Sequence, residues 1–300
     1  MRTAFLFPGL HSALRRRDRE RYAELPSVQA RLAQLREGGF AGQWQEDCAT
    51  LADAGAYGAV AAITCAYQCG IAHHLMSAGM QPDVMVGCSL GDLARNVCTG
   101  ALPFAEVVRL CRHFDDNAVN FPHHLGQTCS VRAPAGRVID RDFERDCELM
   151  GLAISVMSRR HAIISGTELA LRVVEDACRR RGWACEGPHV PFPVHSPLIE
   201  PTLNDLALDQ WASSGRDPDR PVYSAVQLRF LNTCEDLLAD MRHCYTRPVR
   251  WTQAMTQLQR EHGVERFINI GPCQSLALLS RDSQDMPRVE KAPARLLRAA

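Results

Sequence analysis

The sequence has 300 residues, of which 46% are hydrophobic, and its 34 basic and 34 acidic residues give a formal net charge of zero. This length and composition suffice for one large domain with a sizeable core and an insertion. The balanced charge argues against nucleic acid or an anionic membrane as the main partner. No stretch approaches the length of a membrane span.

The thirteen cysteines do not follow a disulfide or metal-binding pattern. Their number is odd, their spacing is irregular, there is no Cys-x-x-Cys pair, and most lie in apolar segments. The apolar run at residues 4–7 is too short for a signal peptide, and Pro8-Gly9 interrupts it. We therefore expect reduced thiols, no bound metal and a cytoplasmic protein.

The first half of the chain alternates strand and helix signals. Residues 4–7 predict a buried strand, and residues 26–53 predict amphipathic helices broken at Gly38-Gly39. Residues 56–80 predict a long helix that is apolar on most faces and packs on a sheet. The β-branched run at residues 84–86 predicts a second buried strand.

The texture changes near residue 127. The pattern predicts a strand at 128–131, a helix at 141–149, strands at 152–157 and 162–165, a helix at 169–181 and an extended segment at 184–190. This β-α-β-β-α-β order is typical of the ferredoxin-like fold. We expect a small subdomain at residues 127–190, inserted in a core made of residues 1–126 and 191–300.

A Gly-x-Ser-x-Gly motif follows the predicted strand at residues 84–86. Its members are Gly87, Ser89 and Gly91, and a helical pattern continues from Leu93. A sharp strand-to-helix turn of this kind is typical of a nucleophile elbow, which needs small residues beside the nucleophile, and a merely tight turn between strand and helix is the alternative. The turn leaves Ser89 at a helix N-terminus, where the Leu90 N–H can stabilise an oxyanion.

A serine nucleophile needs a base, and His195 is the candidate. It follows an apolar extended segment and lies between Pro193 and Pro197. From these residues alone, a core or surface histidine is the simpler interpretation. No Asp or Glu completes the Ser…Asp…His order of ordinary hydrolases.

Six ordered motifs resemble the malonyl-CoA:acyl-carrier-protein transacylases and the acyltransferase domains of polyketide synthases. They are Phe5-Leu-Phe-Pro-Gly, Gly87-Cys-Ser-Leu-Gly-Asp, Ile164-Ser-Gly-Thr-Glu, Pro193-Val-His-Ser-Pro, Arg247-Pro-Val-Arg-Trp and Phe267-Ile-Asn-Ile-Gly-Pro. The resemblance covers residues 4 to about 280. It implies an α/β-hydrolase-like core with an inserted ferredoxin-like small subdomain.

The resemblance also implies a mechanism. Ser89 and His195 would form a catalytic dyad, with the histidine oriented by a backbone carbonyl near Arg250. The backbone N–H groups of Leu10 and Leu90 would form the oxyanion hole. No bound cofactor is implied. The substrates would be acyl thioesters of CoA or phosphopantetheine, and the partner an acyl carrier protein.

Four residues depart from the family pattern. Cys88 replaces the histidine before the nucleophile, and Ser155 and Met157 stand where asparagines are usual. Phe114 occupies the position of the arginine that pairs with a malonyl carboxylate. A buried carboxylate without a cation is costly, so we expect a pocket for a non-carboxylated acyl group.

Three alternatives remain at this stage. The same scaffold could act as a hydrolase that removes stalled acyl groups from carrier proteins, as a standard malonyl transacylase, or as a non-catalytic partner-binding member. For the carrier protein, the residues predict docking near the site mouth on Arg159-Arg160 and on arginines 179–181, although a solvated charged face explains those runs equally well.

Overall fold

The computed structural model describes residues 1–9, 16–40, 42, 46–117, 125–190, 192–206, 213–281, 286–293 and 296–297. The first half contains β1 (Arg2–Phe7), α1 (Arg16–Ala23), α2 (Pro26–Glu37), α3 (Cys48–Asp53), α4 (Tyr57–Ser77), β2 (Val84–Gly87), α5 (Gly91–Cys98) and α6 (Phe104–Asn117). The middle contains β3 (Gln127–Arg132), α7 (Arg141–Leu149), β4 (Ala153–Ser158), β5 (His161–Gly166), α8 (Glu168–Arg181) and β6 (Ala184–Val190).

The last third begins with a 3₁₀ helix at Pro197–Leu206. It continues with β7 (Val222–Tyr223), β8 (Phe230–Leu231), α9 (Cys234–Thr246), α10 (Trp251–Arg260), β9 (Val264–Asn269), α11 (Ser275–Arg281) and β10 (Val289–Lys291). The described elements therefore form a mixed α/β protein, and the strands and helices predicted for residues 127–190 are confirmed to within about two residues at each end.

The larger described sheet has the strand order β10-β9-β1-β2-β7-β8. Its strand pairs are parallel except for β7 with β8. Alternate side chains of β1 enter two different cores, since Phe5 and Phe7 pack with α2, α4 and α6 while Ala4 and Leu6 pack with α10. Both faces of the sheet are thus covered, which explains the uninterrupted apolar strands.

The smaller described sheet is antiparallel, with the order β4-β5-β3-β6. Cys129, Val131, Ala162 and Ile164 pack on α7 and α8, which cover one face of this sheet. Residues on the opposite face, including Ser130, point into a cleft that this sheet shares with the larger one. The two helices therefore lie behind the small sheet as seen from that cleft.

Candidate active site

Ser89 lies at the turn between β2 and α5, and its backbone has a φ of +57°. This left-handed conformation is strained for any residue except glycine. The two neighbouring glycines allow it: a Cβ on Gly91 would lie 1.9 Å from the Phe7 carbonyl oxygen, and a Cβ on Gly87 would lie 2.5 Å from the Asp92 nitrogen. The predicted elbow is therefore present, and the serine hydroxyl projects at the N-terminus of α5.

The N–H group of Leu90 follows the hydroxyl at the start of α5 and donates to no acceptor in the described part of the chain. It is available for an oxyanion, as predicted from the motif. Gly9 packs against the same turn, because a Cβ there would lie 2.7 Å from the Cys88 carbonyl oxygen. Leu10, the second predicted donor, lies outside the described residues.

His195 contacts the serine directly. Its Nε2 lies 2.8 Å from Ser89 Oγ, and its Nδ1 lies 2.5 Å from the carbonyl oxygen of Cys244. A carbonyl only accepts, so Nδ1 carries the proton and Nε2 is the basic nitrogen that faces the hydroxyl. Like Ser89, His195 is held at a positive φ, of +61°. The sequence thus predicted both members of a Ser–His pair.

The prediction that Arg250 orients the histidine is wrong. The Arg250 carbonyl already accepts the Ala254 N–H in the first turn of α10. The Cys244 carbonyl is free because its helical donor would be the N–H of residue 248, and Pro248 has none. Proline four residues beyond Cys244 is therefore what exposes a carbonyl to the imidazole.

Ser155 has a structural role at the same helix end. Its hydroxyl accepts the Val249 N–H at 2.8 Å, so this N–H does not return to the Tyr245 carbonyl. That carbonyl instead accepts the N–H of Ser196, the residue after the histidine, at 3.1 Å. Two successive carbonyls of α9 thus hold the loop that carries His195.

Burial governs the charge of these groups. The imidazole of His195 is 7% exposed, and burial lowers its pKa to about 4 even though the bond to the Cys244 carbonyl opposes the shift. The imidazole is therefore neutral at pH 7 and can accept a proton. Burial also raises the pKa of the Cys88 thiol, so this thiol stays protonated beside the serine.

Two cavities meet at Ser89 and His195. The first, called here the narrow pocket, has a volume of about 120 Å³. Apart from the dyad its lining is mostly apolar, and it includes Ala61, Leu93, Leu110, Phe114, Phe192 and Met241. No charged side chain of the described residues lines it. Phe114 therefore lies in the wall of a pocket that also contains Ser89 and His195.

Two aromatic residues of the narrow pocket were missed by sequence reasoning. The Phe192 ring lies 5.6 Å from that of Phe114 and 5.8 Å from that of Tyr57, centroid to centroid. Phe192 is three residues before His195, in the apolar extended segment that precedes the histidine, so its place in the sequence could have predicted a position near the site. Tyr57 lies at the start of α4, where nothing local distinguishes it from a helix-initiating residue.

The second cavity, called here the wide cleft, has a volume of about 710 Å³ and runs between the two sheets. Cys88, Ser155 and Met157 line it rather than the narrow pocket. Its walls combine apolar residues such as Ala52, Leu276 and Leu279 with polar ones, which include Ser130, Arg132, His161, Glu186 and Arg281. The dyad is thus reached from one side that has no charged side chain and from another that has several.

The expectation that arginines 179–181 border the site mouth is wrong. They end α8, which lies behind the small sheet. Arg179 pairs with Glu175 and Asp176, while Arg181 lies near Asp140 and Asp146. Arg159-Arg160, in contrast, connect β4 to β5 directly before His161 of the wide cleft.

Two other expectations concern metals and membranes. Among the residues that the structure describes, no group of His, Cys, Asp and Glu side chains is arranged to hold a metal ion. No described helix is both long enough and apolar enough to cross a membrane. All thirteen cysteines are free thiols, and most of them are buried.

Comparison with known proteins gives a consistent result. Residues 56–294 match the model of the acyl transferase domain family. A malonyl CoA-acyl carrier protein transacylase of Bacillus subtilis is 29% identical over 204 residues, which are 66% of this chain and 50% of that protein. One from Escherichia coli O157:H7 is 28% identical over 210 residues, 68% of this chain and 66% of the relative. These matches thus span half to two thirds of the relatives' lengths, whereas one from Bacillus subtilis strain 168 is 26% identical over 91% of this chain and 88% of its own.

Solved structures agree on the fold. The malonyl CoA-acyl carrier protein transacylase from Coxiella burnetii has a TM-score of 0.82 at 23% identity and covers 99% of this chain and 96% of its own. A type II polyketide synthase acyl carrier protein in complex with its malonyl-transacylase gives a TM-score of 0.82 at 21% identity, with 99% and 98% coverage. At this identity the likeness establishes the fold alone.

The backbone strain at Ser89 predicts that glycine is more stable than alanine at this position, the reverse of the usual order in a helix. Because φ is +57°, we expect Ser89→Gly to be more stable than Ser89→Ala by about 1 kcal/mol in denaturant unfolding. At the helical and buried Ala94, where no positive φ occurs, the change Ala94→Gly should destabilise the protein instead. A Ser89→Ala protein more stable than Ser89→Gly would contradict the strained elbow.

Proposed function

Because the chain belongs to the acyl transferase domain family, we propose that it moves an acyl group through Ser89 to the thiol of an acyl carrier protein. The donor is a CoA or carrier-protein thioester, and the setting is polyketide or fatty-acid biosynthesis. The observation that carries the proposal is the 2.8 Å contact between Ser89 Oγ and His195 Nε2 where the two cavities meet.

The proposed reaction has two similar halves. His195 Nε2 takes the hydroxyl proton of Ser89 as Oγ attacks the thioester carbonyl, and the N–H groups of Leu90 and Leu10 hold the oxyanion. The carbon–sulfur bond breaks, the thiol leaves with the proton, and acyl-Ser89 remains. A carrier-protein thiol then attacks this ester by the reverse sequence. The chemistry uses no bound cofactor.

The architecture of the protein supports this two-step reaction. The order β4-β5-β3-β6 agrees with a ferredoxin-like small subdomain at residues 127–190, and the elbow agrees with an α/β-hydrolase-like core at residues 1–126 and 191–300. We propose that the phosphopantetheine arm enters along the wide cleft between these units while the acyl group fills the narrow pocket. The free thiols of the core suit the reducing cytoplasm.

The narrow pocket supports an uncharged acyl group. A malonyl carboxylate would meet Phe114 and Phe192 there instead of a cation, at a cost of several kcal/mol. Water occupies about 30 Å³ per molecule, and a dry cavity of roughly 150 Å³ admits benzene. A volume of about 120 Å³ therefore suits an acyl chain of about four or five carbons. The second candidate is malonyl transfer, which the names of the relatives favour.

Acylation can be measured directly by intact mass after incubation with acetyl, butyryl, hexanoyl and malonyl thioesters of CoA and of a carrier protein. We expect butyryl to label wild type faster than malonyl, and Ser89→Ala to remain unlabelled with its fold retained. A label that persists until carrier thiol is added supports transfer. One that decays in water at the same rate with or without carrier would identify a hydrolase, and labelling of Ser89→Ala would exclude Ser89 as the nucleophile.

A substitution at Phe114 tests the acyl preference. Phe114→Arg should raise the malonyl-to-butyryl ratio of kcat/KM by about 10–100-fold, since one charge-assisted bidentate pair contributes about 1.5–3 kcal/mol. Phe114→Leu is the matched control, because it removes the ring but adds no cation, and it should leave malonyl disfavoured. A wild-type preference for malonyl would show that this reading of Phe114 is wrong.

The pH profile tests the role of His195. Only its neutral form accepts a proton, and its pKa is about 4, so kcat/KM for acylation should stay level near neutrality and fall only as the pH drops through about 4. Between pH 6.5 and 4 the unfolded chain binds a proton on His195 that the folded chain excludes, so stability also falls as the pH falls. Circular dichroism at each pH separates the two effects. Half-maximal activity near pH 6.5 would contradict a buried base.

Charge reversal tests where the carrier protein docks. Carrier proteins are typically acidic, and Arg132 and Arg281 are exposed at the wide cleft. Arg132→Glu and Arg281→Glu should each raise the carrier-protein KM by about 2–10-fold without affecting a small thioester, because rim charges contribute modestly. Reversing the charge of arginines 179–181, which lie behind the small sheet, is the control. It should change neither the carrier-protein KM nor the activity with a small thioester. A rise in the carrier-protein KM alone in that control would show that the carrier protein docks on α8.

A further inference from the structure

Arg95 is buried in α5, six residues beyond Ser89, with its side chain fully enclosed. Its Nη1 lies 2.6 Å from Asp92 Oδ1 on the same helix. Nη1 and Nη2 each lie 3.3 Å from Asp240 Oδ2 on α9. A buried guanidinium is tolerated only where acceptors surround it, and here one arginine joins two carboxylates from two helices.

Asp240 is itself held from several sides. Its Oδ1 accepts the Ser224 hydroxyl and, at 3.0 Å, the side-chain amide of Gln227. Both donors come from the loop that joins β7 to β8, the two strands at one edge of the larger sheet. The carboxylate thus has one fixed orientation, and α9 cannot slide along α5 without breaking several buried polar contacts.

Cys244 connects this cluster to the dyad. It lies one turn beyond Asp240 on α9, and burial together with the nearby Asp92 carboxylate raises the pKa of its thiol. Its carbonyl accepts His195 Nδ1. Ser89 directly precedes the N-terminal end of α5, and His195 is hydrogen-bonded to a carbonyl near the C-terminal end of α9. The spacing of these two helices therefore sets the distance between Ser89 Oγ and His195 Nε2.

We propose that Arg95 is a positioning residue for acyl transfer, which fixes Ser89 against His195 by clamping Asp92 of α5 to Asp240 of α9. The proposal rests on the proposed role of the dyad. Replacing a buried ionic cluster with uncharged groups often leaves stability unchanged. The directional fork of the guanidinium, in contrast, selects one arrangement of its two carboxylates, and this is what a displaced nucleophile–base pair would lose.

The first test uses a neutral cluster, since Arg95→Met alone would leave two unpaired buried carboxylates. The variant Asp92→Asn/Arg95→Met/Asp240→Asn keeps the shapes and removes every charge. We expect its midpoint in denaturant to remain near that of wild type while the acylation rate at saturating thioester falls by about 10–100-fold with KM within twofold. Arg95→Lys, which keeps the charge but not the fork, should fall between the two. Arg172→Met, on an exposed pair of α8, is the matched control and should match wild type.

A second readout separates this proposal from the proposed function. A fluorophosphonate probe reports the reactivity of Ser89 toward any electrophile, and His195→Ala should lose that reactivity. If wild type reacts with the probe but with no thioester, the proposed function fails while the probe rates still test the clamp. A folded neutral variant that retains both rates within twofold of wild type would overturn the positioning role.

Discussion

The site depends on two residues held in a backbone conformation that non-glycine residues avoid. Ser89 and His195 have φ values of +57° and +61°, and each such residue costs about 1–2 kcal/mol. Each is held by a backbone contact of a neighbouring residue. Gly91, near Ser89, lies against the Phe7 carbonyl, and the N–H of Ser196, next to His195, donates to the Tyr245 carbonyl. Since both side chains are aimed by strained turns, their 2.8 Å contact is a product of the surrounding packing rather than of local preference.

Sequence reasoning succeeded where a short motif contained its own physical cause. The glycines around Ser89 specify the turn, and the alternation in residues 127–190 specifies strands and helices, so both could be predicted. It failed for Arg250, because the free carbonyl is set by which α9 acceptor lacks a donor; Pro248 points four residues back, to Cys244. It also failed for arginines 179–181, since their position behind the small sheet depends on which face α8 covers.

The Arg95 cluster illustrates a different limit. Arg95 and Asp240 are 145 residues apart, and neither lies in a recognisable motif. An arginine in the middle of a short helix predicts an exposed position, and only the packing of α9 across α5 reveals that it is buried. Buried ion pairs between distant segments carry no local signal. The aromatic residues of the narrow pocket show the same limit, because Phe192 is a near neighbour of His195 in sequence whereas Tyr57 lies far from any motif.

The order of strands in the larger sheet also bears on how the protein is made. The central strand β1 pairs on one side with β2 and on the other with β9, whose partners are more than 250 residues away along the chain. Contacts of such high sequence separation slow folding, since a long loop must close before they form. During synthesis the nucleophile turn emerges long before α9 and β9, so an incomplete chain exposes the apolar edge of β1 and cannot bring an imidazole to Ser89. This architecture couples the appearance of a reactive serine to completion of the sheet, and until β9 is in place the unpaired edge of β1 favours aggregation.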